Sequence, residues 1–421
     1  MQLNQTIKKL TASAALLSLL VGGAGIAEAQ TAQAPKTTIE LDGYPLAFPI
    51  EPAVVNGFNM VPFRAIAEAL RVEVAWNAKT KTITATKAGT DKAQPHTVVL
   101  RLGDQLATVN GAPVKLQAAP LSHHGHTLVP LAFFSSQFGA LVAWDGPTRT
   151  VRIQSPAEDL YTMGYYAISS FDERAYIPSF DAVAFGWSRI DAEGRLTLNG
   201  TTFRWPQNAG QVTPESIVRD TRAEGTDAHL MVFGTDGQGE LTKLLSDPVL
   251  SKQAIDAIVA TAVDKGFSGI SLDLEGLGLT GDYEQAQASY TAFVRQLDAT
   301  AAPAGLTLSI ALHPLNGAYH GYDYKALAEL ADELIIMAYP YENEDAPEPM
   351  DRVDEAIRLA LKEAPREKLV LGISFGSEDA SSVNSKIGLA KRYGIKGVAF
   401  WRIGIIGEEA MAAMQRTIKM D

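Results

Sequence analysis

The sequence predicts an α/β protein: a (β/α)8 (TIM) barrel preceded by a smaller α+β repeat domain. Within 160–421, strand-like segments alternate with helix-like segments, and this stretch is close to the roughly 250 residues of a typical barrel of this class. Within 37–154, one pattern of short strands and a short helix occurs twice. A Rossmann-type sheet is the rival, but no G-x-G-x-x-G follows the first strand of the barrel region.

The predicted barrel strands are short apolar or alternating segments, most of them separated by helical patterns. The strands are predicted at 161–169, 182–187, 229–233, 269–274, 306–312, 334–338, 369–374 and 396–400. The helices are predicted at 214–223, 252–264, 283–299, 325–330, 351–362, 383–393 and 408–419, with a hairpin insertion at 195–200. In such a barrel the chemistry lies at the carboxyl ends of the strands, so residues there are the candidates for a site.

Residues 1–29 have the pattern of a secretory signal peptide. Lys8 and Lys9 precede an apolar run with small residues, and a cleavage site is predicted before Gln30. A membrane anchor is the alternative, but glycines break the run and no stop-transfer pattern follows it. We therefore expect a secreted protein, extracellular or associated with the cell wall, without a transmembrane segment in the mature chain.

The chain carries a formal net charge of −12 and contains no cysteine. The acidic balance argues against nucleic acid as a partner and against simple electrostatic adhesion to an anionic wall. Without cysteine there are no disulfides, no cysteine-based zinc site and no lipoprotein anchor. The hydrophobic cores of the two domains must therefore stabilise the fold.

The repeat in 37–154 is carried by two motifs at one offset. The segment MVPF at 60–63 recurs as LVPL at 128–131, and VAW at 74–76 recurs at 142–144. Each unit predicts a short amphipathic helix and then a strand pair around the tryptophan. A polar, proline-containing linker is predicted at 155–159, where limited proteolysis should separate the two domains.

This repeat resembles the stalk module at the N-terminal end of copper amine oxidases, which also occurs on secreted Gram-positive proteins. The resemblance does not imply copper. His123, His124 and His126 are predicted to form a polar hairpin tip rather than a metal site. Trp76 and Trp144 are predicted to be core residues rather than carbohydrate platforms, because both lie inside the repeated apolar pattern. We expect the module to be a spacer or to bind the cell wall.

The candidate catalytic residues lie in the stretch FSGISLDLE at 267–275, which is predicted to be a strand. Side chains alternate along a strand, so Ser271, Asp273 and Glu275 share one face. Two carboxylates spaced i, i+2 lie about 6–7 Å apart. Ionising both carboxyl groups is costly, so the pKa of one of them should rise. A general acid that works near neutral pH requires such a raised pKa. A solvated strand end with two acidic residues is the alternative that the spacing leaves open.

The stretch resembles the strand-four signature D-G-x-D-x-D-x-E of glycoside hydrolase family 18, the chitinase-like barrels that include spore-cortex-lytic glucosaminidases. Gly269, Asp273 and Glu275 match the signature, while Ser268 and Ser271 replace its first two aspartates. The resemblance implies that Glu275 and Asp273 are catalytic.

Three further segments resemble this family. The segment at 322–339 resembles the one leading into the M-x-Y-D motif on strand six, which implies substrate contacts from Met337 and Tyr339. Pro340 replaces the last aspartate of that motif, and a residue of 342–344 is a candidate substitute. The segment at 397–401 resembles strand eight, where the family tryptophan forms the floor under the sugar at the scissile bond.

The resemblance of 397–401 to strand eight implies a substrate-binding role for Trp401, with ordinary barrel packing as the alternative. The segment Gly164-Tyr165-Tyr166 also fits strand one of the family, where Tyr165 either lines the cleft or packs in the barrel core.

The family implies substrate-assisted retaining hydrolysis without metal or cofactor, in which the acetamido group of the substrate is the nucleophile. The implied substrate is an N-acetylglucosamine-containing polysaccharide of the peptidoglycan or chitin type. The alternative function is a non-hydrolytic, lectin-like cell-wall protein on the same barrel. The lost aspartates and Pro340 favour that alternative, whereas Asp273 and Glu275 together favour the enzyme.

Overall fold

The computed structural model describes residues 37–88 and 94–420. The signal peptide predicted at 1–29 lies outside these described residues. Within them, no helix has both the length and the apolar character needed to cross a membrane.

The N-terminal domain consists of short strands and two-turn helices. Its first half contains β1 (Thr38–Leu41), β2 (Tyr44–Pro45), β3 (Ala53–Val55), β4 (Phe58–Pro62), α1 (Phe63–Ala69), β5 (Glu73–Asn77) and β6 (Thr82–Lys87). Its second half contains β7 (His96–Arg101), β8 (Leu106–Val109), β9 (Ala112–Lys115), β10 (Leu121–His123), β11 (His126–Pro130), α2 (Leu131–Gln137), β12 (Leu141–Asp145) and β13 (Thr150–Gln154). The unit β4-α1-β5-β6 recurs as β11-α2-β12-β13, as the repeat predicts, and β4 pairs antiparallel with β11.

The two repeat tryptophans are exposed, so the prediction that they are core residues was wrong. Of Trp76, 40% is exposed, and of Trp144, 53%. Both lie on edge strands, β5 and β12, where a side chain has neighbours on one side only. The domain core is filled instead by residues such as Ile66, Ile83 and Phe134. The predicted hairpin tip is confirmed, since β10 and β11 pair directly around the turn that contains the histidines.

The C-terminal domain is a closed parallel barrel. Its first half contains β14 (Tyr161–Tyr166), a 3-10 segment (Ile168–Ser179), β15 (Ala182–Ile190), β16 (Leu196–Thr197), α3 (Pro214–Ala223), β17 (Asp227–Thr235), α4 (Glu240–Ser246), α5 (Pro248–Asp264) and β18 (Gly269–Glu275). Its second half contains α6 (Tyr283–Ala301), β19 (Thr307–Leu312), α7 (Tyr324–Ala328), β20 (Glu333–Met337), α8 (Met350–Glu363), β21 (Leu369–Ser374), α9 (Val383–Tyr393), β22 (Gly397–Trp401) and α10 (Gly407–Met414). The strand order is β14-β15-β17-β18-β19-β20-β21-β22, closed by β14 on β22, with β16 antiparallel on β15. This confirms the predicted barrel.

The strands have two differently packed faces. Outward-facing residues such as Ile270, Leu272 and Leu274 pack under the helices in the large core. The barrel interior is a separate, smaller cluster that includes Met231 and Ile335. The alternation predicted for β18 is therefore confirmed: its apolar residues face the helices, and its polar face is directed into the barrel.

The segment 155–159 is packed between the domains and is not a free linker. Ser155 donates two hydrogen bonds of 2.8 Å to Asp42, from its backbone nitrogen and its hydroxyl. Glu158 accepts from Arg71 at 3.2 Å, and Lys391 of α9 donates to the Pro156 carbonyl at 2.6 Å. The described residues of the two domains accordingly form one compact unit. The polar groups of this segment are thus hydrogen-bonded to both domains, and the release of a domain by limited proteolysis there stays a prediction.

Candidate active site

The carboxyl groups of Asp273 and Glu275 lie at the carboxyl end of β18, where they share a hydrogen bond. Asp273 is 5% exposed, whereas Glu275 is half-buried. Burial, together with the charge of Glu275, raises the pKa of Asp273 well above its usual range. Burial also raises the pKa of Glu275, although the hydrogen bond from Asp273 lowers it. The pair therefore retains a proton at a pH where ordinary carboxyl groups are ionised.

A pocket of about 200 Å³ opens above this pair. It is lined by Phe203, Phe233, Asp273, Glu275, His313, Met337, Tyr339, Pro340, Glu344 and Trp401. The structure thus brings Tyr339, Met337 and Trp401 together with the two carboxyl groups, from strands β18, β20 and β22. A rigid aromatic and apolar wall facing two carboxyl groups is suited to one sugar ring.

Tyr165 lies in the barrel interior under this pocket. It is 3% exposed, and its ring centre is 5.7 Å from that of Trp401. Of the two positions that the sequence leaves open for Tyr165, the structure shows the packed one. The side chain supports Trp401 from below.

Two phenylalanines form a wall of the pocket that the sequence does not predict. Phe203 and Phe233 stack at 3.9 Å with an interplanar angle of 12°. Phe203 adopts a φ of 48°, which is rare for a bulky residue and costs conformational energy. It follows β16, in a stretch without regular secondary structure, so no periodicity pointed to it. Phe233, in contrast, lies on a predicted strand.

Glu344 brings a third carboxylate into the pocket from the loop after β20. This loop also contains Pro340, and of the substitutes considered for the missing aspartate, Glu344 is the one that lines the pocket. The loop is anchored by Glu348, which accepts a hydrogen bond from Tyr341 N at 3.1 Å. The backbone nitrogen of Glu348 donates to Glu378 at 2.8 Å, and a buried ion pair of 3.0 Å joins Glu378 to Lys386.

A larger groove of about 990 Å³ adjoins the pocket. Its walls include Asp236, Leu279 and Tyr319, from the loops after β17, β18 and β19, and Gln285 from the first turn of α6. Glu275 and His313 line both the groove and the pocket. Glu275 therefore lies at the junction of two cavities, where an acid can reach a bond that joins their occupants.

Nothing in the described part of the chain resembles a metal centre, because no three His, Cys, Asp or Glu side chains are arranged to hold an ion.

The fold and the site define a barrel protein with paired carboxyl groups at the end of its fourth strand. Two family models match the chain: the copper amine oxidase N-terminal domain over residues 40–153, and glycosyl hydrolases family 18 over residues 162–378. The second match covers half of the chain. The protein belongs to glycosyl hydrolase family 18.

Curated relatives include the cortical fragment-lytic enzyme of Bacillus subtilis (strain 168), which is 28% identical over 199 residues, covering 43% of this chain and 45% of the relative. The enzyme of the same name from Bacillus anthracis is 22% identical over 230 residues, covering 38% of this chain and 52% of the relative. The chain thus spans about half the length of the curated relatives it matches.

Solved structures show the same fold. The spore cortex-lytic enzyme SleL of Bacillus cereus superposes with a TM-score of 0.51 at 18% identity, covering 63% of this chain and 76% of that one. A chitinase from Chromobacterium violaceum superposes with a TM-score of 0.51 at 20% identity, covering 61% of this chain and 98% of that one. At these identities the likeness shows the fold alone.

Proposed function

We propose that this protein is a secreted glycosidase that hydrolyses an N-acetylglucosamine-containing polymer by substrate-assisted retaining catalysis. The observation that carries the proposal is the position of the Asp273 and Glu275 carboxyl groups, which both line the pocket, with Glu275 at the junction of pocket and groove. Family membership supports the reaction class. The names of the curated relatives support a cell-wall polymer of the peptidoglycan type, and a chitin-type chain is the alternative substrate.

In the proposed reaction, the sugar on the glycosyl side of the scissile bond occupies the pocket against Trp401. Glu275 transfers its proton to the glycosidic oxygen as the bond to the anomeric carbon breaks. The acetamido oxygen of the same sugar attacks that carbon, giving an oxazolinium intermediate. Asp273 accepts a hydrogen bond from the acetamido N–H, and the Tyr339 hydroxyl donates one to its oxygen. Glu275 then takes a proton from the water that opens the intermediate, which restores the acid.

The test is to offer the protein matched oligosaccharides that differ only at the 2-amino group. We expect chito-oligosaccharides or peptidoglycan glycans to be cleaved with retention of anomeric configuration, as observed by NMR. The corresponding free-amine oligomers should resist cleavage because they lack the nucleophile. Inversion of configuration would contradict the mechanism. Binding of N-acetylated oligomers without cleavage would support the lectin-like alternative instead.

We also propose that the N-terminal domain binds glycan of the cell wall. Support comes from a shallow groove of about 230 Å³ beside the exposed Trp144, lined also by Phe58, Asn59 and Gln117. None of its lining residues is charged. An aromatic face with amide side chains suits a neutral ligand that has both C–H faces and hydroxyl groups, such as a pyranose.

The proposal that the protein is exported rests on the predicted signal peptide. N-terminal sequencing of the secreted protein should therefore find Gln30 as its first residue.

A further inference from the structure

His313 follows β19 and is fixed in an aromatic cluster beside the carboxyl pair. Its ring stacks on Tyr319 at 4.1 Å with an interplanar angle of 26° and lies 5.9 Å from the ring of Tyr322. Its Nε2 atom is buried and has no hydrogen-bond partner among the described residues. That atom lies 3.7 Å from Oε2 of Glu275. A buried, unpartnered nitrogen aimed at the proposed acid requires an explanation.

We propose that His313 is a positioning residue for Glu275: it keeps its proton on Nε2 and donates a hydrogen bond to the Glu275 carboxylate once Glu275 has released its own proton. This inference rests on the proposed function, since it concerns the ionised state of the acid. The distance of 3.7 Å is slightly longer than a hydrogen bond, and such contacts commonly tighten when substrate is bound.

Besides Asp273, the surroundings of Glu275 offer few other hydrogen-bond donors. No lysine or arginine lines the pocket or the groove within the described ranges. The Tyr322 hydroxyl is already committed, because it donates to the Leu274 carbonyl at 2.8 Å. The titratable groups that face Glu275 or its two cavities are Tyr165, Asp236, Asp273, Asp282, His313, Tyr319, Tyr322, Tyr339 and Glu344.

His313 itself is neutral at pH values well above 4, because burial lowers its pKa to about 4. A neutral imidazole has one N–H, so it can donate to a carboxylate without changing the charge of the site.

The proposed role leaves the proton balance of the reaction unchanged. Glu275 loses one proton to the leaving group and regains one from water, while His313 keeps its proton throughout. The hydrogen bond from His313 stabilises only the ionised form of Glu275, so it lowers the pKa of that group and makes it a stronger acid. Burial alone would leave Glu275 with a higher pKa and a weaker tendency to protonate the leaving group.

The test compares His313→Phe and His313→Gln. Phenylalanine keeps the stacking on Tyr319 but removes the donor, whereas glutamine keeps an N–H. The pKa of Glu275 is measured by NMR titration of isotope-labelled glutamate carboxyls, with Glu275→Gln identifying the resonance. We expect His313→Phe to raise the pKa of Glu275 by about one unit and to lower kcat about tenfold, which is the usual size of one hydrogen bond to a charged group.

In His313→Phe, the basic limb of the pH–rate profile should shift to higher pH by as much as the measured pKa of Glu275 does. In His313→Gln, it should stay near its wild-type position. The matched control is His123→Phe, the same change at an exposed histidine of the β10–β11 hairpin, which should alter neither quantity. An unchanged or lowered pKa of Glu275 in folded His313→Phe would overturn the inference. If the wild type cleaves no glycan, the proposed function fails, while the NMR titration still decides the role of His313.

Discussion

Asp273 is a residue at which function and stability oppose each other. Its pKa in the folded protein is raised by burial and by the charge of Glu275. Between the ordinary pKa of an aspartate and this raised value, the unfolded chain is ionised while the folded protein keeps the proton. The folded state therefore binds more protons, and the free energy of unfolding falls as pH rises through this range. Each pH unit of that range costs about 1.4 kcal/mol.

We accordingly expect Asp273→Asn to impair turnover and yet to stabilise the fold above the ordinary aspartate pKa. The gain over the wild type in free energy of unfolding should increase with pH above the ordinary aspartate pKa, by at most about 1.4 kcal/mol per pH unit, and level off above the raised pKa of Asp273. Urea denaturation at a series of pH values measures it. Asp172→Asn, at an exposed aspartate, is the control and should show no such trend. A constant difference between wild type and Asp273→Asn would refute the raised pKa.

Tyr339 and Trp401 should weaken the site in different ways. Tyr339→Phe removes one hydroxyl whose hydrogen bond matters most as the oxazolinium forms, so kcat should fall more than KM rises. Trp401→Ala removes an apolar wall of the pocket and should impair both substrate binding and turnover. Steady-state kinetics on one N-acetylated oligosaccharide separates the two cases. A loss confined to KM in Tyr339→Phe would show that this hydroxyl does not act on the intermediate.

The residues of the site differ in how far the sequence predicted them. Alternation along β18 placed Asp273 and Glu275 on one face, because the period of a strand is fixed by its backbone. Phe203, His313 and Glu344 were missed or left open, since each follows the end of a strand and reaches the pocket through a loop conformation that no periodicity specifies. Exposure of Trp144 was missed for a related reason: an apolar pattern does not tell an edge strand from a central one.

At the scale of elements, helix α9 determines how the two domains are joined. Arg392 of this helix donates to the carbonyls of Leu41 at 2.9 Å and Tyr44 at 3.0 Å. Gly388 packs so closely that an added Cβ would lie 2.3 Å from the Cβ of Asp42. Because a Cβ is bound to the backbone, Asp42 cannot avoid this overlap by rotating its side chain.

Gly388→Ala should therefore loosen the N-terminal domain from α9. We expect a loss of stability of about 1–3 kcal/mol, as for other overpacked sites, and faster proteolysis within 155–159. The control is Gly237→Ala, where an added Cβ meets no atom within 4 Å. If Gly388→Ala is digested as slowly as the wild type, the contact between Gly388 and Asp42 does not hold the domains together.

Elements with a strong period were predicted closely. The sequence predicts helices at 214–223 and 383–393, and the structure has Pro214–Ala223 and Val383–Tyr393. The helix Glu240–Ser246 was missed because seven residues are too few to show a clear hydrophobic period. The segment Ile168–Ser179 was missed because a 3-10 helix does not follow the 3.6-residue period of an α-helix.

For the whole molecule, we propose that the N-terminal domain provides a second glycan-binding surface in addition to that of the barrel. Trp144→Ala should reduce cosedimentation with purified peptidoglycan several-fold, because stacking of an aromatic face on sugar rings is lost. Hydrolysis of a short soluble oligosaccharide should be unchanged. Leu141→Ala, at an exposed apolar residue of the same strand, is the control and should bind as the wild type does. Equal binding by all three proteins would leave the domain as a spacer.

The role of Glu275 as the general acid of a glycosidase can be tested by comparing one variant with the wild type. Release of reducing ends from peptidoglycan and from chito-oligosaccharides is measured for the wild type and for Glu275→Gln, which keeps the shape of the side chain but has no transferable proton. We expect the wild type to cleave at least one substrate and the variant to fold normally with activity lowered by roughly 10²–10⁴-fold. If the wild type cleaves and Glu275→Gln is equally active, Glu275 is not the acid.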